Sequence, residues 1–251
     1  MKIGILIAGD TEGELQTRYG TFASMFVRMF QQSRHAFSYA FYDVRVGEWP
    51  ESPEACDSWL ITGSVDGVYD NLPWMVPLQQ LIVEISQSGR PLIGICFGHQ
   101  IIAAALGGVV EKSDKGWGLG LHTYNVNADS VGEHPLPDTL RINAMHQDQV
   151  IQPPEGAEVF LSSEFCPCAG FFYGKNVVTF QAHPEFTHVY SKAQIEDCLG
   201  TAFPEAIAQS AVNDYNSVLP PADSELISRW LAGIMLANKR ERLNAESNTT
   251  A

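Results

Sequence analysis

The segment Pro91-Leu92-Ile93-Gly94-Ile95-Cys96-Phe97-Gly98-His99-Gln100-Ile101-Ile102-Ala103-Ala104-Ala105-Leu106-Gly107 changes character half-way along. Its first part is a short, unbroken apolar run, as expected of a parallel strand buried on both faces. Its second part is Ile/Ala-rich and ends at a Gly107-Gly108 pair, as expected of a helix with a glycine stop. Cys96 falls at the junction, between Gly94 and Gly98.

Working outward, residues 2–8 form another apolar run, and residues 38–44 and Ser58–Thr62 read as further strands. Between them, from about Leu15 to Gln32, the period becomes helical: Phe22, Met25, Phe26, Met29 and Phe30 form one stripe. Pro73 opens a second helix that Gly89 closes. Alternation of this kind predicts βαβ units and a parallel sheet. Residues 117–181 differ, with short β-rich pieces between Gly, Pro and Asn turns; they read as an antiparallel excursion that rejoins the main sheet at Asn176–Ala182.

After about residue 190 helices dominate, and Ala222-Asp223-Ser224 supplies capping chemistry before an apolar stripe that runs towards Leu236. The chain therefore divides into a main α/β domain over residues 1–192 and a helical extension over 193–251. The extension is expected to lie outside the core and to end in a polar, frayed tail. The fold class is α/β: a three-layer sandwich around a central, mostly parallel sheet of flavodoxin type.

At 251 residues, with 45% hydrophobic and 18% charged residues, the composition is that of a soluble globule. Such a domain buries roughly three quarters of its unfolded surface and needs no disulfide or metal to stay folded. The formal charge of −14 argues against nucleic acid as a partner, because no basic stripe offsets it. No apolar stretch approaches the roughly 20 residues of a membrane helix, and no signal-peptide pattern opens the chain. Five scattered cysteines, an odd number, read as reduced thiols of a cytosolic protein.

Gly-x-nucleophile-x-Gly at a strand–helix junction is the pattern of a nucleophile elbow, where small neighbours permit a strained turn. The helix that follows points its N-terminal dipole at the thiol, favouring thiolate, and offers backbone N–H groups to an oxyanion. The competing reading is a buried cysteine whose glycines serve only helix–strand packing. Thiolate-based acyl transfer needs a base that later protonates the leaving amine. His183, in Gln181-Ala182-His183-Pro184-Glu185, is best placed, just past an apolar strand, with Glu185 available to orient it.

Together, Gly94-Ile95-Cys96-Phe97-Gly98-His99-Gln100 and His183-Pro184-Glu185 resemble the triad-type class I glutamine amidotransferases, especially the glutaminase part of GMP synthases and its free-standing relatives. Leu60-Ile61-Thr62-Gly63-Ser64 sits where that family places its oxyanion strand. Met145-His146-Gln147-Asp148 resembles the Ser-His-Gly-Asp segment lining the glutamine pocket. The resemblance covers roughly residues 1–190. It implies Cys96 as nucleophile, His183 as acid and base, Glu185 as its orienter, and the N–H groups of Gly63 and Phe97 as the oxyanion hole. Gln100, Ser64, His146, Gln147 and Asp148 would bind a small-molecule substrate, with no cofactor and no metal.

Two departures stand out: Thr62-Gly63-Ser64 replaces Gly-Gly-Pro, and Gln147 replaces a glycine. Either could widen acceptance from glutamine to a γ-glutamyl peptide. The functions compatible with the sequence are glutamine amide hydrolysis feeding an acceptor or a synthetase subunit, γ-glutamyl peptidase activity, and a catalytically silent regulatory relative. Cys166-Pro167-Cys168 is a weak zinc signal without a second ligand pair. His122, His134 and His188 lack ligand spacing and read as surface or loop residues. The Gly-rich Lys115–Gly120 stretch lacks a Walker ending and reads as a mobile strand entry near the site.

Overall fold

The computed structural model describes residues 1–127 and 135–249 of the chain, so His134 lies outside the described residues. The chain opens with β1 (Lys2–Ile7), α1 (Gly13–Tyr19), α2 (Phe22–Gln31) and β2 (Ser38–Asp43). The single helix expected over residues 15–32 is thus two. Gly20, with φ +87°, breaks it, and the Thr21 hydroxyl starts a new helix by accepting from Ser24 N at 3.1 Å. Asp10 strengthens the restart by accepting from Phe22 N at 2.7 Å.

Next come β3 (Ser58–Ile61), α3 (Met75–Gln87), β4 (Leu92–Ile95) and α4 (Phe97–Ala105). The central stretch contains β5 (Val109–Lys112), β6 (Gly118–Val126), β7 (Thr139–His146), β8 (Asp148–Gln152), β9 (Ala157–Ser162), β10 (Gly170–Tyr173) and β11 (Val177–Phe180). Three helices finish the chain: α5 (His188–Asp197), α6 (Glu205–Tyr215) and α7 (Ser224–Thr249).

The main sheet has the order β2-β1-β3-β4-β11-β10-β9-β6-β7. Its first five strands are parallel, and β11 pairs with β4 just as an excursion returning to the main sheet requires. The remaining strands continue it antiparallel, while β5 and β8 form a small separate ribbon. β1, β3, β4 and β11 carry apolar runs because both faces are covered. The α3 and α4 residues Leu78, Ile82, Ile85, Ile101 and Ile102 pack on one side. The α2 residues Phe26, Met29 and Phe30 pack on the other.

α7 departs from expectation. Ile227, Trp230, Leu231 and Met235 belong to the same core as β1, β4 and α2, so this helix is part of the sandwich and not an appendage outside it. Trp230 sits against Phe160, Phe172 and Phe180, and Ser228 Oγ donates to Met29 O at 2.6 Å. The aromatic wall on the antiparallel strands needs a cover, and the apolar stripe of α7 supplies it.

Candidate active site

The elbow is built as its glycines require. Cys96 takes φ +54° and ψ −106°, a conformation a side chain rarely adopts, and its N–H is fixed by Phe180 O at 2.8 Å. A Cβ on Gly94 would lie 2.5 Å from Gly98 O, and one on Gly98 would lie 2.4 Å from Ile61 O. The two glycines allow α4 to press against β3 and β4, which lifts Cys96 above the C-terminal edge of the sheet. Phe97 is the first residue of α4, where amides have no partner within the helix.

His183 arrives from the turn after β11. The place of a Cβ on Gly63 would be 3.1 Å from His183 Cε1 and 3.7 Å from Cys96 Cβ, so these three residues converge at one point. Glu185 Oε1 accepts from His183 Nδ1 at 2.8 Å, with both side chains buried. Burial alone would drive the imidazolium pKa down. Burial is the largest single effect, but the charge and hydrogen bonding of Glu185 and Cys96 together outweigh it and hold His183 up at about 10. The ring also lies flat on Phe186, with centroids 4.0 Å apart and planes at 3°.

A cavity of about 320 Å³ opens over these groups, lined among others by Ser64, Gln100, His146, Gln147 and Asp148. The structure gives each of them a defined posture; Gln147 Nε2 donates to Ser113 O at 3.4 Å. Ser64 Oγ accepts from Asp66 N at 3.2 Å in a local turn, while Thr62 Oγ1 accepts from Ala8 N at 3.0 Å; this is the shape the loop takes without Gly-Gly-Pro. Gln100 Nε2 is engaged by Asp148 O at 3.0 Å and Gln181 Oε1 at 3.1 Å, so it also ties β8 to α4. His146 Nδ1 faces Asp148 O at 3.1 Å and must carry the proton there, which leaves Nε2 as a bare, buried acceptor. Burial pushes the His146 pKa down to about 3, so this ring is neutral. Asp148 Oδ1 accepts from Tyr69 OH at 3.1 Å across the cavity mouth.

A profile of the family described as "Glutamine amidotransferase class-I" matches residues 19–199. The chain belongs to this family. A Saccharomyces cerevisiae glutamine amidotransferase-type protein, YLR126C, is 35% identical over 200 residues, covering 74% of this chain and 78% of that one. Gamma-glutamyl peptidase 3 of Arabidopsis thaliana is 30% identical over 176 residues, covering 67% and 70%. A glutamine amidotransferase crystal structure from Thermotoga maritima superposes with TM-score 0.72 at 24% identity, covering 95% of this chain and 97% of that one, which supports the fold. Class I amidotransferase architecture thus accounts for the sheet, its flanking helices and the C-terminal helix.

Two residues at the site were given no role by the sequence reading. Trp117 and Phe203 meet edge-on at 4.6 Å and line both the cavity and an adjoining groove of about 450 Å³. Trp117 lies in the Gly-rich stretch read as a strand entry near the site; Phe203 follows α5, beyond the part of the sequence that carries the resemblance. Other assignments change. His122 sits within β6 and His188 opens α5, so neither is a loop residue. Cys166 and Cys168 are buried, and burial pushes both thiols up to about 12. Among the described residues, no cluster of three or more His, Cys, Asp or Glu side chains could hold a metal. No described helix is long and apolar enough to cross a membrane.

Proposed function

We propose that this chain hydrolyses γ-glutamyl amide bonds through a thioester on Cys96, with glutamine as the simplest substrate. The observation that carries the reading is the convergence of a strained cysteine, a histidine paired with a buried glutamate, and a glycine loop at one end of a cavity. Cys96 Sγ attacks the γ-carbonyl carbon, and the N–H groups of Gly63 and Phe97 hold the resulting oxyanion. A single donor of this kind is typically worth about 100- to 1,000-fold in rate. The imidazolium of His183 gives its proton to the nitrogen as the C–N bond breaks, releasing ammonia or an amine. Water then attacks the thioester, His183 takes its proton, and glutamate leaves. Ammonia released this way would pass to an acceptor or a synthetase subunit.

A second reading, γ-glutamyl peptidase activity, is favoured by the groove beyond Trp117 and Gln147, which adds room for a leaving group larger than ammonia. The similarity to Gamma-glutamyl peptidase 3 points the same way. Steady-state assays with glutamine and with γ-glutamyl dipeptides distinguish the two by kcat/KM. Cys96→Ala is expected to abolish turnover of either substrate with an unchanged melting temperature. Turnover retained in that variant would remove Cys96 from the chemistry, and a folded wild-type chain that no γ-glutamyl electrophile labels would make it a silent relative.

A further inference from the structure

We infer that Asn143 and Tyr215 are positioning residues that set the plane of the His183 ring, an inference that rests on the role proposed for His183. Asn143, fully buried in β7, ties down the loop carrying His183 at two points. Its carbonyl accepts from His183 N at 2.8 Å, and its Nδ2 donates to Phe186 O at 2.7 Å. Those two contacts fix both ends of the turn that presents the imidazole and the phenyl ring beneath it. Because Phe186 lies flat on His183, any shift of the Phe186 backbone tilts or slides the imidazole.

Tyr215 decides which way the Asn143 amide points. Its hydroxyl donates to Asn143 Oδ1 at 2.8 Å, so the amide nitrogen must face Phe186 O. Reversing the amide would set oxygen against oxygen on one side and leave a buried N–H against the phenol on the other. Burial pushes the Tyr215 phenol up to about 12, so it remains a donor across the working range. Tyr215 is the last residue of α6. Helix α6 therefore reaches the candidate base through one hydrogen bond and one amide, beside the edge-on contact of Tyr190 in α5 with Phe186.

The test compares Tyr215→Phe, Asn143→Ala and the double variant in the full-length chain. Rates are counted per Cys96 that iodoacetamide labels, as read by mass spectrometry. Each single variant is expected to lose about tenfold or more in kcat, with KM held within about twofold. The double variant should be no slower than Asn143→Ala, because both residues act through one amide. The alkylation rate of Cys96 at neutral pH reads the same imidazole without a substrate, and should fall in parallel. Wild-type kcat and alkylation rate in Tyr215→Phe, or fully additive losses in the double variant, would overturn the inference. A wild-type rate in His183→Ala would instead sink the role of His183, and that control is independent of Tyr215.

Discussion

At the scale of single residues, the proposed mechanism depends on one proton being stored where a leaving nitrogen can collect it. The raised pKa of His183 means the folded protein prefers the imidazolium. That preference is fully present below the ordinary value of 6.5 and is lost as pH rises through about 10. Glu185 is the largest favourable cause, with Cys96 next; His146, which also lines the cavity, is neutral. Removing the Glu185 charge should let burial regain control. In Glu185→Gln the alkaline limb of kcat/KM is expected to move to lower pH, with a smaller loss of kcat at neutral pH than in His183→Ala. A pH–rate profile of the two variants beside wild type checks both points. An unmoved alkaline limb would separate Glu185 from the titration of the base.

At the scale of elements, the test case is α7, whose apolar stripe was visible in sequence although its destination was not. Trp230 fills the space between Phe160, Phe172 and Phe180 and is almost fully buried. Trp230→Ala should cost about 3–5 kcal/mol, because the rings around it cannot close over the hole. A lowered denaturant midpoint at an unchanged slope is the expected result; no change would mean α7 is not docked. The contrast shows where sequence is informative. Gly94, Cys96 and Gly98 alternate along one short stretch of chain, and local sterics dictate the elbow they form. The same holds for His183 and Glu185, two residues apart on one turn. The partnership of Asn143 with Tyr215 spans 72 residues, and that of Trp117 with Phe203 is equally non-local, so no local pattern marks either pair. The break at Gly20-Thr21 was a local signal, a left-handed glycine before a capping threonine, hidden by an apolar stripe that starts just after it.

At the scale of the whole molecule, the question is whether the stretch that carries the family resemblance can stand without the helices that follow. The family profile ends at residue 199, before α6 and α7 begin. Yet Ile227, Trp230, Leu231 and Met235 lie in the principal core. Burying a large apolar side chain contributes about 1.5–3 kcal/mol, so four of them account for roughly 6–12 kcal/mol. A domain's entire net stability is about 5–15 kcal/mol. A chain ending at residue 199 would keep all the residues proposed for catalysis but expose the α7-facing side of α2 and the Phe160–Phe172–Phe180 wall. It would also lose the Tyr215 hydroxyl from Asn143. We expect the shortened chain to show no cooperative thermal transition by circular dichroism and to elute as aggregate on gel filtration. A monomer that melts cooperatively and still alkylates at Cys96 at the wild-type rate would mean the helices only decorate a self-sufficient domain. The core built from both parts argues for the opposite outcome: the final helices fold as part of the same sandwich and hold the candidate base in place.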